Sequence, residues 1–186
     1  MINNKSFTLI EILVAVAIFS LVVAAGSGIF ISSISGQQKS LAFQRVLSES
    51  SYVMEYMSRS LRMAQKELSA PDCLSQNGLN YEKTRGGRGL KFINYKEECQ
   101  EFYWETTTNQ LKESRDGVKN YLTSEALEIS AFNINLTGES QEDNSHNSQP
   151  RVTIFLEIKT KGQKAQTQFE MNIQTTISQR NLDVRR

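Results

Sequence analysis

Apolar residues form a nearly unbroken run from Phe7 to about Ile34, interrupted early by the carboxylate of Glu11. A helix needs roughly 20 apolar residues to cross the hydrocarbon core of a bilayer, and this run exceeds that length. An acidic side chain in mid-membrane costs roughly 2.5 to 3.5 kcal/mol, and such residues usually have a partner. The pattern therefore predicts a membrane-spanning helix in which Glu11 has a specific task.

After Gly36 the pattern becomes amphipathic, with apolar residues at the i, i+3, i+4, i+7 spacing of a helix that buries one face. The stripe consists of Phe43, Val46, Leu47, Val53, Met54, Met57, Leu61, Ala64 and Leu68. The residue before a proline disfavours helical geometry, and Pro71 is the first proline. We therefore predict one helix from Phe7 to about Ser69, with residues 7–35 in the membrane and residues 36–70 forming the amphipathic half.

Alternating apolar and polar residues replace the helical period in the rest of the chain. They predict strands at Leu90–Tyr95, Gln100–Trp104, Gln110–Lys112, Glu128–Ile134, Val152–Ile158 and Phe169–Ile177. Polar segments predict a hairpin turn at Lys159–Lys164 containing Gly162, a surface loop at Gly138–Pro150 and a tail at Asn181–Arg186. The predicted fold class is α+β: a long N-terminal helix, transmembrane and then amphipathic, packed on an antiparallel β-sheet of a globular domain at residues 71–186.

The segment Lys5-Ser6-Phe7-Thr8-Leu9-Ile10-Glu11 resembles the class III signal of type IV pilins and type II secretion pseudopilins. In that family a basic leader is cleaved just before Phe, and the fifth mature residue is Glu. The resemblance implies a leader at residues 1–6, cleavage between Ser6 and Phe7, and N-methylation of Phe7. It also implies a helical filament in which Glu11 offsets the Phe7 amine of an adjacent subunit. Ser6 departs from the Gly that normally precedes the cleavage site.

The same resemblance implies a location and a set of partners. The chain is expected to cross the cytoplasmic (inner) membrane once, with an extracytoplasmic C-terminal domain, and then to enter a cell-surface or periplasmic filament. The expected partners are other pilin or pseudopilin subunits, the prepilin peptidase and methyltransferase, an inner-membrane assembly platform and the lipid bilayer.

The stretch Tyr52–Ala64 resembles the helix of minor pilins and J-type minor pseudopilins, and this resemblance favours a minor subunit. Packing in the core of the globular domain explains Met54, Met57 and Met63 equally well.

Two other interpretations of the N-terminal region remain open. Val23-Ala24-Ala25 has the small-residue spacing of an ordinary secretory cleavage site, which would release a secreted binding domain starting near Gly26. The apolar run would also fit a simple single-pass membrane anchor in which Glu11 has no specific role. Against the signal peptide, Glu11 interrupts the apolar core and apolar residues continue beyond the supposed cleavage site.

The charge balance and the types of polar residue argue against several classes of function. Lys and Arg number 21 against 20 Asp and Glu, so loss of Lys5 with a leader leaves 20 of each; this balance argues against a nucleic-acid-binding surface. The single histidine, His146, lies in a polar loop without neighbouring Cys or His, which argues against a metal site. No nucleophile has a partnering base, and the acidic pairs Glu97-Glu98 and Glu142-Asp143 fit a solvated surface. We expect no enzyme activity, no metal and no cofactor.

Two further features concern the globular domain. The segment Arg85-Gly86-Gly87-Arg88-Gly89 lacks the Lys-Ser/Thr ending of a phosphate loop and is interpreted as a turn or linker, with an anion or DNA contact as the alternative. Cys73 and Cys99 are the only cysteines. In an oxidising compartment they are plausible disulfide partners, and closing that loop would contribute about 3 to 4 kcal/mol. Two buried free thiols are the alternative.

Overall fold

One long helix is followed by antiparallel strands, which confirms the predicted α+β layout. The structure is a computed structural model, and it describes residues 7–141, 148–161 and 168–180. Its elements are α1 (Leu9–Arg62), β1 (Glu82–Thr84), β2 (Gly89–Ile93), β3 (Cys99–Glu105), β4 (Gln110–Arg115), β5 (Val118–Tyr121), β6 (Leu127–Thr137), β7 (Arg151–Thr160) and β8 (Glu170–Ser178). The chain divides into two compact units, Met1–Leu41 and Ala42–Arg186.

The helix ends at Arg62 and not at about Ser69 as predicted. Its last carbonyls receive hydrogen bonds from distant parts of the chain: the Tyr81 hydroxyl donates to Leu61 O at 2.6 Å, and the backbone N–H of Arg180 donates to Arg62 O at 2.8 Å. The N–H of Gln65 turns away to Ile93 O in strand β2, at 2.9 Å. Since tertiary partners replace the next helical turn, the helix ends seven residues early and residues 63–70 form a connecting segment.

A five-stranded antiparallel sheet with the order β1-β2-β3-β4-β5 forms the first half of the globular unit. The sequence predicted its three central strands but neither edge strand. Strand β1 has only three residues and strand β5 is exposed at every position, so neither shows an alternation that could reveal it. Both edge strands are held by antiparallel backbone pairing, β1 with β2 and β5 with β4.

A separate three-stranded antiparallel sheet has the order β6-β7-β8, so the single predicted sheet is in fact two. The connection between the sheets is tied to the helix, because the carboxylate of Glu49 accepts both the N–H and the hydroxyl of Ser124 at 3.1 and 2.8 Å. Lys159 and Thr160, which were predicted to begin a hairpin turn, are the last residues of β7. Gly162 and the rest of that turn up to Lys164 lie outside the described residues.

The core of the globular unit lies between the second half of the helix and both sheets. Val46, Val53, Met57 and Leu61 of the predicted stripe are fully buried, together with large side chains of the strands: Leu90, Phe92, Phe102, Leu111, Phe132, Ile154 and Leu156. The stripe members Phe43, Leu47 and Leu68 are exposed. With Ala42 and Ser50, which are also buried, the buried helix positions recur every three or four residues, so the face that packs is narrower than the predicted one.

Candidate functional site

The helix begins immediately after Thr8, whose side chain caps it. Thr8 Oγ1 accepts a hydrogen bond from the backbone N–H of Glu11 at 3.4 Å, and Thr8 O accepts from the N–H groups of Glu11 and Ile12 at 3.1 and 3.3 Å. Glu11 is therefore the third helical residue, in the Thr-x-x-Glu spacing of a capping box. A carboxylate in the first turn also interacts favourably with the positive end of the helix dipole.

Phe7 and Glu11 lie together at this helix start. Both line one shallow apolar hollow, with Ile12, Ala15 and Phe19 among the other lining residues. The Phe7 side chain is 74% exposed. The structure thus brings the backbone of residue 7 and the Glu11 carboxylate to the same helix end, while Ser6 lies outside the described residues.

The helix that follows is apolar and unburied. It is long and apolar enough to cross a membrane, and its most apolar window contains no buried residue. Large apolar side chains are exposed from Leu9 to Ile34. An apolar surface of this extent needs a lipid or protein environment, so the helix fits a membrane anchor. The hydroxyls of Ser20, Ser27 and Ser35 donate hydrogen bonds to the carbonyl oxygens four residues earlier, so each hydroxyl has a partner within the helix.

Comparison with known proteins finds a match at this end of the chain. Residues 1–27 match the family model of the prokaryotic N-terminal methylation motif. This N-terminal segment carries a prepilin-type methylation motif. The match supports a type IV pilin-like or pseudopilin-like protein and covers the candidate cleavage site, Phe7 and Glu11, but not the globular unit. No curated protein and no solved structure matches the chain.

A polar cluster joins helix α1 to the first sheet. Tyr56 donates its hydroxyl to Glu113 Oε1 at 2.6 Å, and the guanidinium of Arg115 reaches both Tyr56 Oη and Glu113 Oε1 at 2.7 and 3.0 Å. Gln100 Nε2 donates to the same carboxylate oxygen. Burial, followed by the hydrogen bond to Glu113, raises the pKa of Tyr56 to about 12. Each of these side chains is hydrogen-bonded within the cluster, which ties the helix to the first sheet.

Cys73 and Cys99 are brought together, with Cα atoms 5.5 Å apart and a bond between their Sγ atoms. The carboxylate of Glu67, 2% exposed, accepts the N–H groups of Ser69, Cys73 and Leu74 at 2.9 to 3.0 Å. Burial opposes its charge, but these backbone donors prevail and lower the pKa of Glu67. One side chain thereby fixes the segment that carries Cys73.

The Gly-rich segment is a turn between β1 and β2. Arg85, Gly86 and Gly87 all have positive φ angles, which favour glycine. The guanidinium of Arg85 pairs with Glu101 through two hydrogen bonds of 2.9 and 3.1 Å and lies 3.7 Å from the centre of the Tyr103 ring. Because Glu101 already occupies Arg85, the geometry favours the turn interpretation over the anion-contact alternative.

Across residues 7–141, 148–161 and 168–180, no group of three or more His, Cys, Asp or Glu side chains is arranged to hold a metal ion. His146 and the pair Glu142-Asp143 lie outside these ranges. The sequence reasoning missed two carboxylates with a structural role, Glu67 and Glu113. It also missed the capping by Thr8, although the Thr-x-x-Glu spacing was present to indicate it.

Proposed function

We propose that this protein is a structural subunit, and a minor one, of a type IV pilus or a type II secretion-like pseudopilus. A membrane prepilin peptidase cleaves it between Ser6 and Phe7 and methylates the new amine, and an inner-membrane platform then inserts it into a filament. The observation that carries the proposal is the methylation motif at residues 1–27 on a helix whose apolar side chains are unburied.

Assembly proceeds through the N-terminal helix. In the membrane the apolar side chains of residues 7–35 contact lipid, and in the filament they contact the helices of neighbouring subunits. Glu11 receives the Phe7 amine of an adjacent subunit, which offsets the cost of roughly 2.5 to 3.5 kcal/mol that a lone carboxylate carries in a membrane. Close approach of opposite charges in an apolar environment makes this contact a strong selector of register.

In this proposal the globular unit is extracytoplasmic and the protein is not an enzyme. The oxidised pair Cys73–Cys99 is consistent with an oxidising compartment. The Met-containing stretch from Met54 to Met63 supports a minor subunit only by resemblance, and the abundance of this protein relative to a major subunit in purified filaments tests that point.

The test is mass spectrometry of the N-terminus of the protein from its host membrane. A chain that starts at N-methylated Phe7 supports the proposal. An intact Met1 would instead indicate a simple anchor, and a start near Gly26 would indicate a secreted domain; either result contradicts the proposal.

A second experiment separates two roles of Glu11: pairing with the amine of a neighbouring subunit and capping its own helix. Glu11→Ala should leave membrane insertion intact and impair filament incorporation. Glu11→Gln keeps an amide that can serve a capping box but removes the charge, so it should impair incorporation as well. Thr8→Ala is the matched control, because it removes the cap and keeps the charge. Normal incorporation of Glu11→Gln would mean that Glu11 acts only at the helix start.

A further inference from the structure

The three-stranded sheet buries one face and leaves the other outside the core. On the central strand β7, the side chains of Ile154 and Leu156 are fully buried, whereas Phe155 between them does not belong to the core cluster. Successive side chains of a strand point to opposite faces, so Phe155 lies on the outer face of this sheet. The strand registers place Asn133 of β6 and Gln174 of β8 directly opposite Phe155. Both amides are exposed and Phe155 is half-buried, so an aromatic ring lies between two accessible carboxamides.

Uncharged polar side chains surround this ring on the outer face. In the next row across the strands, Asn135, Thr153 and Thr176 lie side by side, and the two threonine hydroxyls share a hydrogen bond of 3.0 Å. In the row on the other side of Phe155, Asn172 lies opposite Glu157. The outer face thus carries four exposed carboxamides that form no side-chain hydrogen bond to another described residue: Asn133, Asn135, Asn172 and Gln174. Each carboxamide offers two donors and an acceptor to a ligand.

The charges of the outer face argue against an anionic ligand. Lys159 and Glu128 pair with each other at 3.8 Å across β7 and β6. Among the other described residues of this face, Arg151 is basic, and Glu157 and Glu170 are acidic. The face therefore lacks the excess of cations that binds a phosphate backbone. Protein interfaces concentrate aromatic and apolar residues at their centre, whereas here one ring is surrounded by amides and hydroxyls. The complementary ligand is uncharged and rich in hydroxyl groups.

We propose that the outer face of the β6-β7-β8 sheet binds a neutral polysaccharide, with one sugar ring stacked on Phe155 and its hydroxyls bound by Asn133 and Gln174. A sugar ring has an apolar face of C–H groups and a rim of hydroxyls, which matches an aromatic ring flanked by amides. Neighbouring strands lie about 4.7 to 4.9 Å apart, so both amides are within reach of a sugar unit seated on the ring. Paired strands also hold these side chains in place before binding, which lowers the entropic cost of association. This ligand belongs to the globular unit, so the inference is independent of filament assembly.

Co-sedimentation of the purified full-length protein in detergent with insoluble cellulose, chitin and mannan tests this proposal. At least one of the three polysaccharides should retain the protein. Retention should change little between about 0.05 and 0.5 M salt, because salt screens charged contacts and the ligand carries no charge. Retention by none of the three, or retention that salt abolishes, would overturn the proposal.

Variants of the outer face locate the binding. Phe155→Leu removes the ring but keeps an apolar side chain in β7, and it should lower the affinity for the retaining polysaccharide roughly tenfold. Asn133→Asp with Gln174→Glu keeps the side-chain shapes and removes the amide donors, so it should weaken binding as well. Asn120→Asp is the matched control, because Asn120 is an exposed carboxamide on β5 of the other sheet.

Circular dichroism of each variant checks that it is folded. The double variant changes only exposed side chains, so it tests the proposal even if Phe155→Leu fails to fold. Binding that neither variant of the outer face weakens would place the polysaccharide elsewhere and overturn the proposal, as would an equal loss of binding in Asn120→Asp.

Discussion

The carboxylate of Glu67 accepts the backbone N–H of Cys73 at 3.0 Å, so a buried charge and a disulfide hold the same short segment. This segment connects the helix to β1, and it has no regular secondary structure to satisfy its backbone groups. Glu67 supplies acceptors for three of these N–H groups, and buried N–H groups without a partner are costly. The disulfide joins this segment to β3, and Glu67 satisfies its backbone N–H groups.

Glu67→Gln should destabilise the globular unit by about 1 to 3 kcal/mol, because a neutral amide oxygen accepts less strongly and its NH2 group faces backbone donors. Chemical denaturation of the full chain in detergent measures the change. Glu125→Gln, at an exposed position, is the control and should change stability by less than about 0.5 kcal/mol. Equal stabilities of the two variants would mean that Glu67 does not hold this segment.

The same residue predicts a loss of stability in acid. The pKa of Glu67 lies below its ordinary value of 4.5 in the folded protein, so its stabilising charge is fully present above that value and is lost as the pH falls through the folded pKa. The difference in unfolding free energy between wild type and Glu67→Gln should therefore shrink below about pH 4.5. A difference that stays constant from neutral to acid pH would contradict the lowered pKa.

Tyr56→Phe should destabilise the protein by about 1 to 2 kcal/mol, since it leaves Glu113 and Arg115 without the hydroxyl between them. The neighbouring Tyr52→Phe is the control, because Tyr52 is largely exposed. The raised pKa of Tyr56, about 12, predicts stability that is complete below the ordinary value of 10 and declines as the pH rises above it. Burial also raises the pKa of Tyr81, so ultraviolet titration should show two phenols ionising late in wild type and only one in Tyr56→Phe.

Replacing both cysteines, Cys73→Ser with Cys99→Ser, should cost about 3 to 4 kcal/mol for a loop closed over 26 residues. Reduction of the wild-type protein should cost a similar amount. Intact-mass measurement with and without a thiol reagent decides whether the purified protein carries the bond. Rapid alkylation of both thiols without a reductant would favour the free-thiol alternative.

The predicted helix and strands are correct where a local sequence pattern determines the structure. The helical stripe identified Val53 and Met57 as core residues, and alternation identified the strands that have one buried face. Phe43 and Leu47 were included in the stripe but are exposed, because apolarity alone does not say how wide a face the sheets will cover. The exposed strand β5 has no buried face, so nothing in its own sequence indicated it.

The sequence alone determined the beginning of this protein: an apolar helix of membrane length, Glu11 near its start, and the methylation motif. These properties depend on consecutive residues and on helical hydrogen bonds that close within four residues. Only the tertiary structure decided that the helix ends at Arg62, that the strands form two sheets, and that Glu67 is buried. The partners that decide these points, such as Tyr81 and Arg180 at the helix end, are distant in sequence, and folding brings them into contact.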